Sequence, residues 1–147
     1  MRSDNRKSFL ELRIIWKDDD MFELQVIATN GRYSGTTEVY DFSESLANFA
    51  ECLVAFPNDK KILIHEAGHQ DGYGYFRMKF YCIDYSGHVG VEVIIEENVS
   101  NQQRPEEKSK LSMEIIVQPS AIDNFQKELL QLAKIEEGIA SLYGSND

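Results

Sequence analysis

The sharpest chemical pattern in the chain is His65-Glu66-Ala67-Gly68-His69. On a helix, two histidines one turn apart bind zinc, and the glutamate between them takes a proton from a metal-bound water. Gly72 continues the pattern, but Tyr75 stands where the extended form of this motif would place a third ligand. The chemistry also requires that His65 and His69 share a helical face. Pro57 lies close upstream, and Ile62-Leu63-Ile64 is a short apolar run compatible with a strand. The five residues therefore read as a loop with exposed histidines, and a zinc hydrolase using His65, His69 and Glu66 is retained as the alternative function. Asp18-Asp19-Asp20 lacks the glycine and distal glutamate of a calcium loop and reads as a solvated turn. Cys52 and Cys82 fall in apolar patterns without CxxC spacing, which predicts two small buried hydrophobes rather than a nucleophile, a disulfide or a metal pair. No catalytic residue, resident metal or cofactor is predicted.

The elements that must position these residues are mostly strands. Tyr73–Glu97 is the central feature: Phe76, Met78, Phe80 and Cys82 alternate with Tyr75, Arg77, Lys79 and Tyr81, Asp84–Gly87 turns the chain, and Val89, Val91, Val93 and Ile95 resume the alternation. The first set is predicted as core. Opposite it, the aromatic and charged residues form the face where interface chemistry would lie. Upstream, Ser8–Trp16 and Met21–Thr29 form a hairpin around the Asp18–Asp20 turn, and Thr36–Tyr40 continues as a third strand after the Asn30–Gly35 turn. Asp41-Phe42-Ser43-Glu44 has capping-box form, and Leu46, Phe49, Ala50, Leu53 and Val54 follow at helical spacing until Pro57. Lys61–His65 reads as a strand. Residues 98–110 are polar and predict a mobile loop, after which Leu111–Val117 is the last strand. Ser120 is the expected N-cap of a closing helix lined by Ile122, Phe125, Leu129, Leu132 and Ala133. Gly138 is placed to break it, which leaves 138–147, like 1–7, as a fraying end.

The resulting order, βββαββββα with hairpin-length joins, predicts an α+β fold: a mainly antiparallel, twisted sheet of about six or seven strands carrying two helices. At 147 residues the chain is the size of one domain, which at this length buries roughly 70% of its unfolded surface. No apolar run approaches a membrane span and no cleavable leader pattern is evident, so a soluble cytoplasmic protein is expected. The formal charge of −10 disfavours nucleic acid and anionic membrane as partners, since neutralising phosphate needs clustered Lys and Arg.

Several stretches together resemble the WapI-type immunity proteins, small cytoplasmic bacterial proteins that accompany polymorphic or contact-dependent toxins. They are Phe22–Val26 through Gly31–Gly35 to Val39-Tyr40, then Leu46, Phe49 and Leu53, then Asp84-Tyr85-Ser86-Gly87-His88-Val89 with Val91-Glu92-Val93, and finally Ile122, Phe125 and Leu129. The resemblance implies an α+β fold, no enzymatic activity, and a cognate toxin partner, commonly a nuclease. A nuclease must be basic to hold its substrate, so an acidic inhibitor would be steered to that surface. The expected contacts are Asp18, Asp19, Asp20, Glu92, Glu96, Glu97, Glu106 and Glu107, joined by Tyr75 and Tyr81 from the hairpin. A self-associating structural protein, paired through edge strands or the aromatic face, is the remaining class.

Overall fold

The computed structural model describes residues 7–58, 61–69, 73–84, 87–98 and 108–145. The fold is α+β, and its elements follow the predicted order with one further strand at the end. They are β1 (Phe9–Lys17), β2 (Phe22–Thr29), β3 (Ser34–Asp41), α1 (Ser43–Ala55), β4 (Ile62–Gly68), β5 (Gly74–Cys82), β6 (Val89–Asn98), β7 (Lys108–Val117), α2 (Pro119–Ile135) and β8 (Ile139–Tyr143). The strands do not form one sheet. They form two antiparallel four-stranded sheets, β3-β2-β1-β8 and β4-β5-β6-β7.

The alternation read from the sequence sets the inward faces. Phe22, Leu24, Val26 and Ala28 of β2 and Phe76, Met78 and Phe80 of β5 are all fully buried and share one core with Leu46, Phe49, Ile122, Phe125 and Leu129 of the helices. A bulge between Ile14 and Trp16 breaks the alternation of β1 and leaves Ile15 and Trp16 nearly half exposed. Cys82 holds the core-facing phase of β5 but is exposed, because the strand end runs past the cover of the helices; Cys52 is exposed as well. Both thiols are free, and neither is the buried hydrophobe expected.

The helix ends depart from the predicted caps. Phe42, not Asp41, is the N-cap residue of α1, and no side chain caps that helix. Gln118 takes this place for α2, with Pro119 as its first residue, where a missing N–H costs nothing. Glu136 closes α2 in the left-handed conformation at φ 60°, its N–H bonding Leu132 O at 2.8 Å. Gly138 at φ +106° completes the reversal. The following residues are then no frayed end: β8 pairs antiparallel with β1, and Ala140 and Leu142 enter the core beside Leu12 and Leu10. The predicted 98–110 loop is also shorter, since β6 runs to Asn98 and β7 begins at Lys108. Its remainder, 99–107, lies outside the described residues.

The two sheets meet through β3, which passes the strands of the second sheet one after another. A Cβ at Gly35 would touch the Leu111 side chain of β7, Thr37 Oγ1 donates to Glu96 O of β6 at 3.0 Å, and a Cβ at Gly74 of β5 would stand 2.2 Å from Glu38 O. Glycine at 74 is thus required by the closeness of the backbones. Asp41, at the end of β3, meets His65 of β4. Sheets whose strands cross in this way pack in the orthogonal manner.

Candidate functional site

His65-Glu66-Ala67-Gly68 lies within β4 rather than in a loop. In a strand, residues four apart are separated by roughly 13 Å, so His65 and His69 do not converge on one metal as they would on a helix. His65 points inward and is buried, contrary to the expected exposed histidine, while His69 is exposed just beyond the strand end. The two residues also have different surroundings. His65 Nε2 lies 2.7 Å from Asp41 Oδ2, where a ring N–H donates to the carboxylate, and the Phe49 ring packs at 5.2 Å from the imidazole. Asp41 Oδ1 additionally accepts from the Phe42 N–H at 2.8 Å. The aspartate that resembled a helix cap instead ties β3 to β4 from inside the core. Among the described residues, no group of three His, Cys, Asp or Glu is placed to hold a metal.

Where β3 crosses the ends of β4 and β5, a cleft of about 830 Å³ opens. Among the described residues, five carboxylates line it, Glu23, Glu38 and Asp41 from the first sheet and Glu66 and Glu97 from the second, and no Lys or Arg does. Tyr40, Phe42 and Tyr73 also line it and are each more than half exposed. The exposed aromatics flank a hollow where Glu23, Glu38 and Glu97 stand beside Asp41 and Glu66, the last two already hydrogen-bonded to His65 and Tyr75. Glu23 and Glu38 occupy outward positions of their strands, with Glu23 directly opposite Tyr40 and Glu38 opposite Gln25. Their outward alternation was readable in the sequence; their meeting with Glu66 and Glu97 was not, because it depends on how the sheets cross.

The expected partner contacts are dispersed over the molecule. Asp18 is exposed in the β1–β2 turn, where its Oδ1 accepts from the N–H groups of Asp20 at 2.8 Å and Met21 at 2.9 Å. Those two bonds hold its carboxyl below the ordinary range. Asp19 and Asp20 are exposed beside it, and the turn leads into Met21 and Glu23 of the cleft. Glu97 lines the cleft itself. Glu92 lies on the outer face of the second sheet, 3.9 Å from Arg77. Glu96 is 4% exposed, with Lys110 Nζ at 3.8 Å, and Tyr75 is equally buried, so neither offers its side chain to a partner. Glu106 and Glu107 lie outside the described residues.

The two tyrosines of the hairpin serve the sheet. Tyr75 donates its hydroxyl to Glu66, and its pKa is pushed up to about 12, first by burial and then by that carboxylate. Tyr81 lies over Gly90, where a Cβ would come within 2.6 Å of the ring, and donates to Glu114 two strands away. Burial and Glu114 likewise raise its pKa. A side chain that covers a strand glycine compensates for the packing the glycine lacks.

A second cavity, of about 650 Å³, opens at the opposite end of the second sheet among Leu53, Phe56, Ile62, Ile83, Val89 and Ile122. Its lining is largely apolar, with Asp84 and His88 at the rim, the imidazole Nδ1 3.1 Å from Asp84 Oδ2. No family model, no curated protein and no solved structure matches this chain. None of the described helices is long and apolar enough to cross a membrane.

Proposed function

We propose that this is a non-enzymatic binding protein whose acidic cleft receives a basic segment of a protein partner. The observation that carries this reading is that, among the described residues, the cleft is lined by five carboxylates and no Lys or Arg, flanked by exposed Tyr40, Phe42 and Tyr73. Such a hollow attracts Lys and Arg side chains through charge, and aromatic faces add cation–π attraction. The resemblance to WapI-type immunity proteins supplies the partner class. In this reading the partner is a cognate toxin, commonly a nuclease, neutralised in the cytoplasm when the cleft and the neighbouring Asp18–Asp20 turn cover its basic surface. Glu92, on a different face, belongs to the contact only where the partner is large enough to wrap around the second sheet.

The test is capture of the toxin encoded beside this protein, with association followed by surface plasmon resonance at several salt concentrations. Replacing Glu23, Glu38, Glu66 and Glu97 together with Gln should slow association about 100-fold at low salt and flatten its salt dependence. Replacing Tyr73 with Ala should raise the dissociation rate. An unchanged association rate in the fourfold Gln variant, with circular dichroism showing a native fold, excludes the cleft as the contact.

A further inference from the structure

The outer face of the second sheet is a regular grid whose rows are set by the strand register. Across β4, β5, β6 and β7 the rows are Ile62, Tyr81, Gly90, Ile116; then Ile64, Lys79, Glu92, Glu114; then Glu66, Arg77, Ile94, Ser112. Both helices contribute their apolar sides to the core on the other side of this sheet. Ile62 is 50% exposed and Ile64 48% on the edge strand β4, and Ile116 is 43% exposed on the opposite edge strand β7, at the two ends of one row.

Charge singles out the occupant. The chain carries a formal −10, so two copies repel one another across most approaches. This face is different, because Glu66, Glu92 and Glu114 are nearly balanced by Arg77 and Lys79. The arrangement is also self-complementary. A two-fold axis lying in the interface, parallel to the strands and between β5 and β6, sets each residue of β5 against the same row of β6 in the other copy, and each residue of β4 against β7. Lys79 then faces Glu92, the aliphatic stem of Arg77 lies on Ile94, and Ile62 meets Ile116, each contact made twice. Sheets stacked face to face keep their strand directions within about 30°, so the pairs nearest the axis hold their partners.

We propose that the outer face of β4–β7 is a dimerisation surface for a second copy of this chain, with Lys79 and Glu92 forming reciprocal pairs across the axis. This surface shares Glu66 with the acidic cleft, but Lys79 and Glu92 do not line that cleft, so the two contacts are separable by experiment. The face is small for a permanent dimer, so the association should depend on protein concentration.

Sedimentation equilibrium of the full chain should show twice the monomer mass of 16.9 kDa at high protein concentration. Lys79→Glu sets Glu against Glu at both reciprocal positions, and Glu92→Lys sets Lys against Lys; each variant alone should associate at least ~10-fold more weakly. A 1:1 mixture of the two variants should restore the dimer, since every cross-axis pair is then opposite in sign. Within each variant the neighbours Lys79 and Glu92 remain altered, so this rescue reports only contact between copies. A monomeric wild-type chain throughout the concentration range, a dimer indifferent to Lys79→Glu, or a mixture that stays monomeric overturns the proposal. Capture of another protein through this face by a monomeric chain overturns it too.

Discussion

The two ends of the second sheet are held by different physics. At the Gly68–Gly74 end, backbone lies on backbone: Gly74 admits the Glu38 carbonyl, Thr37 donates to Glu96 O, and His65 meets Asp41 inside the core. At the Ile62–Cys82 end, about 20 Å away along β4, the cavity is walled by side chains of α1, α2 and the strand ends, and Phe80 stands among Phe49, Phe56 and Phe125 at ring distances of 5.7, 6.2 and 6.3 Å. The first end is defined by hydrogen bonds and close approach, and carboxylates gather around it. The second is defined by volume and leaves apolar surface. A partner that reads charge is served by the first, because the crossing of the sheets brings acids from both of them to one cleft.

Substitutions should separate the two ends. Phe80→Ala is expected to be the most damaging, removing about 4 kcal/mol of stability through the cavity it leaves among three other rings. Urea denaturation measures this, and a loss below about 1 kcal/mol would show that the apolar end repacks freely. Asp41→Ala should follow at about 3 kcal/mol, since it strands the buried His65 without its partner. Replacing both residues, as Asp41→Leu with His65→Phe, should recover much of that loss. If the double variant is as unstable as the sum of the singles, the pair is not the tie between β3 and β4.

The smallest effect is a dependence on alkaline pH. Tyr75 has a folded-state pKa raised from 10.0 to about 12. Its contribution is therefore complete below pH 10 and is lost as pH rises through about 12, because the unfolded chain gives up this proton first. Unfolding midpoints should fall across that window. Tyr75→Phe should make the fall shallower while leaving the contribution of Tyr81, which has the same sign, in place. A slope identical in wild type and Tyr75→Phe would place the titrating group elsewhere.

Much of the fold was legible because its signals are local. Phe76, Met78 and Phe80 mark the inner face of β5 by alternation, and Ile122, Phe125, Leu129, Leu132 and Ala133 mark that of α2 by helical spacing. Signals that admitted two periods misled. Ile139 and Leu142 are spaced as on a helix, yet Ala140 and Leu142 are the buried pair of a strand. The His65-Glu66-x-x-His69 letters fit a zinc helix, but β-sheet pairing of Ile62–Gly68 with Tyr75–Tyr81 governs their conformation.

The sequence by itself determined the α+β class, the order of elements through α2 and the inward faces of the central strands β5 and β6, because periodicity is a property of neighbouring residues. Tertiary structure alone decided that the strands divide into two sheets, that β3 crosses the second, and that Asp41 meets His65 at a separation of 24 residues. The same crossing gathers Glu23, Glu38, Glu66 and Glu97 around one cleft. Contacts of that kind depend on how finished sheets close over a shared core, and no local pattern records which outward-facing acids that closure will bring together.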